Sequence, residues 1–452
     1  MAKIAPFRGL RFNPEKIDRM EDVVTPPYDV IDEKAQVALL SKNPYNMIQL
    51  DLTKHAGVTP AAGRYEGAKN LFDRWQEEGV LIRDSKPAMY LYHIRYNLPN
   101  GRSFTRKGLV CLVGLAEFDE GIVKPHEKTF RSVTDDRLKL IETCQAQFSQ
   151  VFSLYSDENG EIIAALEGAC PQEPLYTVED QDGCRHTLWA VTDREVLAKI
   201  SAAFKDKSVY IADGHHRYTT ALQLRELMSK KQGSVEENSP YNHIMMYLCP
   251  MEDPGLSVLP THRLVYFPGR IGANDLVLRM QDYFDIEEIG GGSRETLLEQ
   301  VLGRMDEKQQ HQTVFGMYEP KADRCFLMSL KPLVMARAVG RELPPALQEL
   351  DVVVLSDLVV ERLLGLSHEQ CDNEGLIAYY SDPDDALDNA VKIAAQNGEK
   401  SPILFLMNHT PVTQVKKIAD ENLIMPHKST YFYPKILTGL LINRIVADET
   451  VA

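Results

Sequence analysis

The stretch Val209-Tyr210-Ile211-Ala212-Asp213-Gly214-His215-His216-Arg217-Tyr218 constrains the fold more than any other part of the chain. Residues Ser208–Ala212 read as a short apolar strand. A helix is expected from about Gly214 to Ser229, with Asp213 as its N-cap. Gly214 allows the backbone to approach a ligand closely. The first N–H groups of a helix lack intrahelical acceptors, and the helix dipole adds partial positive charge there. Arg217 and the two imidazoles add donors. A strand running into such a turn makes an anion site, with phosphate as the natural anion. Adjacent residues on a helix point about 100° apart, so His215 and His216 are poorly placed to share one metal ion, and neither is assigned as a metal ligand.

Around this turn, strand-like and helical stretches alternate through all 452 residues. Gly63–Leu81 reads as an amphipathic helix, with Tyr65, Ala68, Leu71, Phe72 and Trp75 at helical spacing. Ala88–Tyr96 and Gly108–Phe118 form a hairpin through Asn100-Gly101, and a second hairpin turns at Asp182-Gly183. Further helices are expected over Asp135–Gln147, from the Asp193 cap to Phe204, and over Arg294–Met305, Leu347–Leu364, Pro383–Ala394 and Lys435–Val446. Further strands are expected over Val151–Tyr155, His243–Cys249, Thr313–Met317, Cys325–Leu330, Gly375–Tyr380 and Ile403–Met407. Gly290-Gly291-Gly292-Ser293 lacks the Gly-Lys-Ser/Thr ending of a phosphate loop and reads as a turn with Ser293 as N-cap. The class is mixed α/β. The most polar stretch, Ser229–Pro240, suggests a division into 1–235 and 236–452, with the C-terminal α/β region completing the same unit.

The charge balance limits the partners. With 50 Lys+Arg against 65 Asp+Glu, the net charge of −15 disfavours nucleic acid and anionic membrane surfaces. Seven scattered cysteines without C-x-x-C spacing read as free thiols. No stretch approaches the 18 or more apolar residues of a membrane span, and the N-terminus has no signal-peptide core, so the expected location is cytoplasmic. Oligomeric state is not legible.

Three more clusters carry candidate chemistry. His126-Glu127 lies in a polar loop before Asp135-Asp136-Arg137, and can form an acid/base pair or help hold Mg²⁺. Pro426 to Lys435 places Lys428 and Lys435 for phosphate, with hydroxyl donors at Ser429 and Thr430. Pro26-Pro27-Tyr28-Asp29 fixes the backbone beside Asp29, a candidate general base or metal ligand. Leu259-Pro260-Thr261-His262-Arg263 has a similar standing. Each also has a structural reading, as a capped helix, a packed aromatic loop or a turn.

These blocks together resemble one family. Pro6-Phe7-Arg8-Gly9, Pro26 to Val30, Asn43-Pro44-Tyr45-Asn46, His126-Glu127, Asp136-Arg137, Asp213 to Tyr218, Leu259 to Arg263 and Pro426 to Lys435 identify the chain as similar to domain of unknown function 1015. The Asp-Gly-His-His-Arg turn also resembles the phosphate-binding turn of the ParB/sulfiredoxin superfamily and its free serine kinases. That likeness implies a ParB/sulfiredoxin-like core with large insertions. It implies that Gly214, His215, His216 and Arg217 hold nucleotide phosphate beside Asp213, with Asp29 as the counterpart of the kinases' catalytic carboxylate. Glu127 and His216 are further catalytic candidates. Arg8, His126 and Arg263 are substrate-binding candidates, and Lys428, Ser429 and Lys435 complete the phosphate set. The activity implied is phosphoryl transfer from a nucleotide (ATP or ADP), with Mg²⁺, to a small hydroxy amino acid, serine first. A phosphoserine-directed hydrolase and a non-catalytic sensor of nucleotide or phosphoserine are the alternatives.

Overall fold

The computed structural model describes residues 1–53, 63–98, 101–268, 273–396 and 400–451. It is mixed α/β and forms two compact units, Met1–Ser257 with Pro434–Ala452, and Val258–Tyr433. The expected boundary at 235/236 therefore falls inside the first unit. The polar stretch there is a connection between a helix and the strand His243–Pro250, which lies in the middle of a sheet and cannot be cut away from it.

In the first unit the strands of the main sheet are β1 (Ile4–Ala5), β2 (Met89–Asn97), β3 (Ser103–Gly114), β4 (Val123–Lys124), β5 (Val151–Tyr155), β6 (Tyr176–Glu179), β7 (Arg185–Val191), β8 (Val209–Asp213) and β9 (His243–Pro250). They form one sheet in the order β4-β8-β5-β9-β3-β2-β7-β6, with β1 on β3. β8 runs parallel to β4, β9 runs parallel to β5, and the other pairs are antiparallel. Every residue of β9 is buried, as a central strand covered on both faces must be.

Its helices include α1 (Arg64–Glu77), α2 (Arg131–Cys144), α3 (Glu161–Ala169), α4 (Arg194–Ala203) and α5 (His215–Gln232). Leu166 of α3, Ile200 of α4 and Tyr218 and Ala221 of α5 pack with Leu109, Cys111, Val151, Ile211 and Met246 in one core. Asp193 caps α4 by accepting from the Glu195 and Val196 amides, as expected. α2 starts at Arg131, four residues before the expected Asp135, and Phe130 is its N-cap without a side-chain cap bond. Asn100 of the first hairpin lies outside the described residues. Gly101 beside it has φ +77°, as a tight turn requires.

The expected helix Lys435–Val446 is not helical. The segment is extended, with bridges from Thr438 to Thr25 and from Ile442 to Leu10, and Asn443–Arg444 pairs with Ala146–Gln147. Ile436, Leu437, Leu440, Leu441, Ile442 and Ile445 are all buried, which leaves no polar side for a surface helix. Gly439 at φ +101° breaks any helical run.

In the second unit six antiparallel strands, β10 (His262–Pro268), β11 (Phe284–Ile289), β12 (Val314–Glu319), β13 (Arg324–Leu330), β14 (Ile377–Tyr380) and β15 (Lys400–Leu406), stand in the order β11-β13-β12-β15-β10-β14. The period of two divides each apolar run between two cores. Val314, Leu327 and Leu404 face α6 (Arg294–Lys308) and α7 (Pro383–Ala395), while Phe315, Met328 and Phe405 face Val352 to Val360. Ser293 caps α6 through the Thr296 amide, as expected of the glycine-rich turn. The expected single helix Leu347–Leu364 is broken into short turns and a π-helical run, Val354–Leu363. All seven cysteines are free. Among the described residues no helix is long and apolar enough to cross a membrane.

Candidate functional site

β8 delivers its last residue, Asp213, directly into the first turn of α5. A register shift between Ile211 and Asp213 against β5 leaves Ala212 as an extra residue, and such bulges re-aim the following side chain. The N-cap of α5 is Gly214, not Asp213 as expected. The Asp213 carboxylate is used otherwise. Oδ2 accepts from Arg217 Nη2 at 2.5 Å and Oδ1 accepts from Lys435 Nζ at 2.9 Å. Burial opposes its charge, yet Lys435 and then Arg217 outweigh that and hold the carboxyl well below the usual carboxylate range. Arg217 Nη1 also donates to the Gln150 carbonyl. Gly214 sits at φ +96°, and a Cβ there would lie 2.8 Å from Arg217 Nε and 2.9 Å from its Cζ. Glycine is required by both the backbone conformation and the guanidinium lying against it.

The two histidines bind a loop to this turn. His215 Nε2 accepts the His126 amide at 3.2 Å and His216 Nε2 accepts the Phe130 amide at 3.0 Å. An accepting Nε2 places the neutral imidazole's proton on Nδ1. For His215 that nitrogen lies 3.8 Å from a Glu127 carboxylate oxygen. The His126 ring stands edge-on to His215, with centroids 4.6 Å apart, and the His216 ring stacks on Phe130 at 5.8 Å. Burial, reinforced by His126, pushes the His215 pKa well below its ordinary value, and burial lowers that of His126 to about 4. Burial thus favours the neutral form of His215 and of His126.

A third layer joins Asp136-Arg137 and Tyr28 to Asp51, which no motif singled out. Asp51 and Arg137 are buried and paired, with Arg137 Nη1 3.2 Å from Asp51 Oδ1 and also donating to the Asp51 carbonyl at 2.5 Å. Arg137 Nη2 donates to Asp136 at 2.8 Å, and Asp136 in turn accepts from Arg64 and Tyr65. The Arg137 guanidinium lies over the Tyr28 ring at 4.4 Å. Tyr28, Asp51, Arg137, Arg217 and Thr220 line one cavity of about 50 Å³. Asp29, the next residue after Tyr28, is exposed, and its charge acts on Arg217, Tyr28 and Asp51. Asp136-Arg137 was visible in the sequence as a charged pair. Asp51 carried no local signal.

The structure thus brings together Asp213, Gly214, Arg217 and Lys435, with His126, Glu127, His215 and His216 around them and Asp29 within electrostatic reach. Arg8 is engaged elsewhere, donating to the Asp84 carbonyl at 2.8 Å and standing 3.7 Å from Glu449. Arg263, Lys428 and Ser429 belong to the second unit. There Ser429 Oγ donates to the Pro426 carbonyl at 2.6 Å, Lys428 takes φ +56°, and the buried Arg263 donates to the Val352 carbonyl at 3.3 Å over the Tyr379 ring. Among the described residues no group of three or more His, Cys, Asp and Glu is placed to hold a metal ion. Both Asp213 oxygens are engaged by side chains of the turn.

Comparison with known proteins gives a family and distant structural likenesses. No curated protein matches the chain. Among solved structures it is similar to a free serine kinase variant in complex with ADP, with 12% identity, 72% of this chain and 91% of that chain covered, and a TM-score of 0.34. A conserved hypothetical protein from Pyrococcus furiosus shows 14% identity, 72% and 94% coverage and a TM-score of 0.32. SbnI with C-terminal truncation from Staphylococcus aureus shows 9% identity, 73% and 85% coverage and a TM-score of 0.34. The family model described as "Protein of unknown function (DUF1015)" matches residues 4–353, and the chain belongs to that family.

Proposed function

We propose that the protein is a nucleotide-dependent phosphotransferase acting on a small hydroxy amino acid, with free L-serine giving O-phosphoserine as the leading reaction. The observation that carries this reading is the β8–α5 turn. A left-handed glycine, the N-terminal amides of an 18-residue helix, and two cationic side chains anchored on one carboxylate meet at one point. Helix amides and fixed cations suit the β- and γ-phosphates of a nucleotide. Lys435 is the cation best placed to turn from Asp213 to a transferring phosphoryl group, where most of the catalysis of such reactions lies. The serine assignment rests on the motif resemblance.

Asp213, held ionised by its two cations, is a weak proton acceptor. Asp29 is exposed beside the cluster and is the better general base. The acceptor hydroxyl would lose its proton to Asp29 as its oxygen bonds to phosphorus, and the bond to the leaving phosphate breaks with its electrons. Mg²⁺ would be held chiefly by the nucleotide phosphates and water.

The test is phosphorus NMR of the full chain with serine, Mg²⁺ and ATP, ADP or pyrophosphate in parallel, with phosphoserine alone as the reverse reaction. O-phosphoserine is expected with one donor, and Asp29→Asn should slow its formation by about 10²–10⁴-fold. No turnover with any donor, alongside tight phosphoserine binding, would replace the enzyme with a sensor.

A further inference from the structure

Two of the residues lining the 50 Å³ cavity carry a buried oxygen without a hydrogen-bond partner. The nitrogens of Arg137 are engaged by Asp136 and Asp51, and both Nη atoms of Arg217 by Gln150 and Asp213. Two oxygens are left over. Asp51 Oδ2 and Thr220 Oγ1 are buried and have no hydrogen-bond partner, in residues only 4% and 3% exposed. Buried carboxylate oxygens without a donor are costly, and native structures almost always supply one. Asp51 Oδ2 can be satisfied by a donor, and because burial opposes the charge of this carboxyl while Arg137 favours it, a cationic donor fits best. Three N–H bonds on a compact charge describe a primary ammonium group. Thr220 lies one turn along α5 from Arg217, so a molecule seated here extends toward the β8–α5 turn. The Tyr28 ring under Arg137 forms part of the wall, next to Asp29.

We infer that this cavity binds the primary ammonium group of the acceptor substrate through Asp51 and Thr220, so that the substrate is an amine-bearing alcohol rather than a plain hydroxy acid. The acceptor role of the bound amine rests on the phosphotransferase reading. The ammonium site itself does not, because binding is measurable without turnover.

The experiment is calorimetric titration of the full chain with L-serine, ethanolamine, 3-hydroxypropionate and potassium chloride, each alone and with ADP present. L-serine and ethanolamine should bind, and 3-hydroxypropionate should bind at least tenfold more weakly. Asp51→Asn should weaken L-serine at least tenfold and leave ADP affinity unchanged. Because Asp51 also pairs with Arg137, that variant is checked by its thermal melt. If it does not fold, the near-isosteric Thr220→Val decides, with an expected loss of about fivefold for both amines. Equal binding of 3-hydroxypropionate, undiminished amine binding in the folded variants, or displacement of the amines by potassium would each overturn the inference. Absence of ADP binding to the unmodified chain, with amine binding intact, would overturn the phosphotransferase reading alone.

Discussion

At the scale of single residues, Gly214 and Lys435 show two kinds of legibility. Gly214 can be read from the sequence because its demand is local: a strand must turn into a helix within one residue, and only glycine takes that backbone without strain. Gly214→Ala should destabilise the protein by about 1–3 kcal/mol in urea titration, because the methyl group meets Arg217 at a positive φ. The same variant should weaken ADP binding by at least tenfold. Lys435 can be read only as one cation in an aromatic loop. Its partner Asp213 is 222 residues away, and nothing local specifies that pairing. Lys435→Gln should cost about 1–3 kcal/mol in the same titration, as a half-buried carboxylate oxygen loses a charged donor. Turnover should fall more than nucleotide affinity if Lys435 acts mainly on the transferring group.

At the scale of elements, the first turn of α5 and the loop from His126 to Phe130 form one latch, closed only while both imidazoles accept amide protons. The direction of its pH dependence follows from the depressed pKa values of His215 and His126. A histidine near 6.5 when unfolded and near 4 when folded contributes stability that is present above pH 6.5 and is lost as pH falls toward 4. For His126 this amounts to about 2 kcal/mol by pH 5. His93 and His262, also lowered to about 4 by burial, add to the same trend. Stability measured from pH 7 to 5 should therefore fall steeply, and His126→Gln should flatten the slope by about one proton's worth. An unchanged slope would mean that His126 is protonated in the folded protein. The sequence marked both histidines as ligand donors, yet each Nε2 accepts from the main chain. A run of polar residues reveals that hydrogen bonds will be made, while direction and partner depend on which loop packs against the helix.

At the scale of the whole molecule, the chain crosses into its second unit at Val258 and returns at Pro434, so the last residues complete the first unit. Six buried aliphatic side chains between Ile436 and Ile445 ride on this segment. At about 1.5–3 kcal/mol each, their burial rivals the net stability of a typical domain. A chain ending at Tyr433 should fail to give a cooperative melt by circular dichroism, even though α5 and β8 are intact. A cooperative unfolding transition in that truncated chain would show that the segment is an accessory. The sequence by itself determined what depends on neighbours along the chain: the strand-to-helix turn, the Asp193 and Ser293 caps, the hairpins, the free cysteines and the mixed α/β class. Only the tertiary structure decided that Asp213 is an anchor for Arg217 and Lys435 and not a cap. It also decided that 435–446 is extended and that Asp51 lies beside Arg137. Turn and cap energetics are settled within a few residues, whereas burial on all sides and charge pairing over hundreds of residues are settled only when the elements pack.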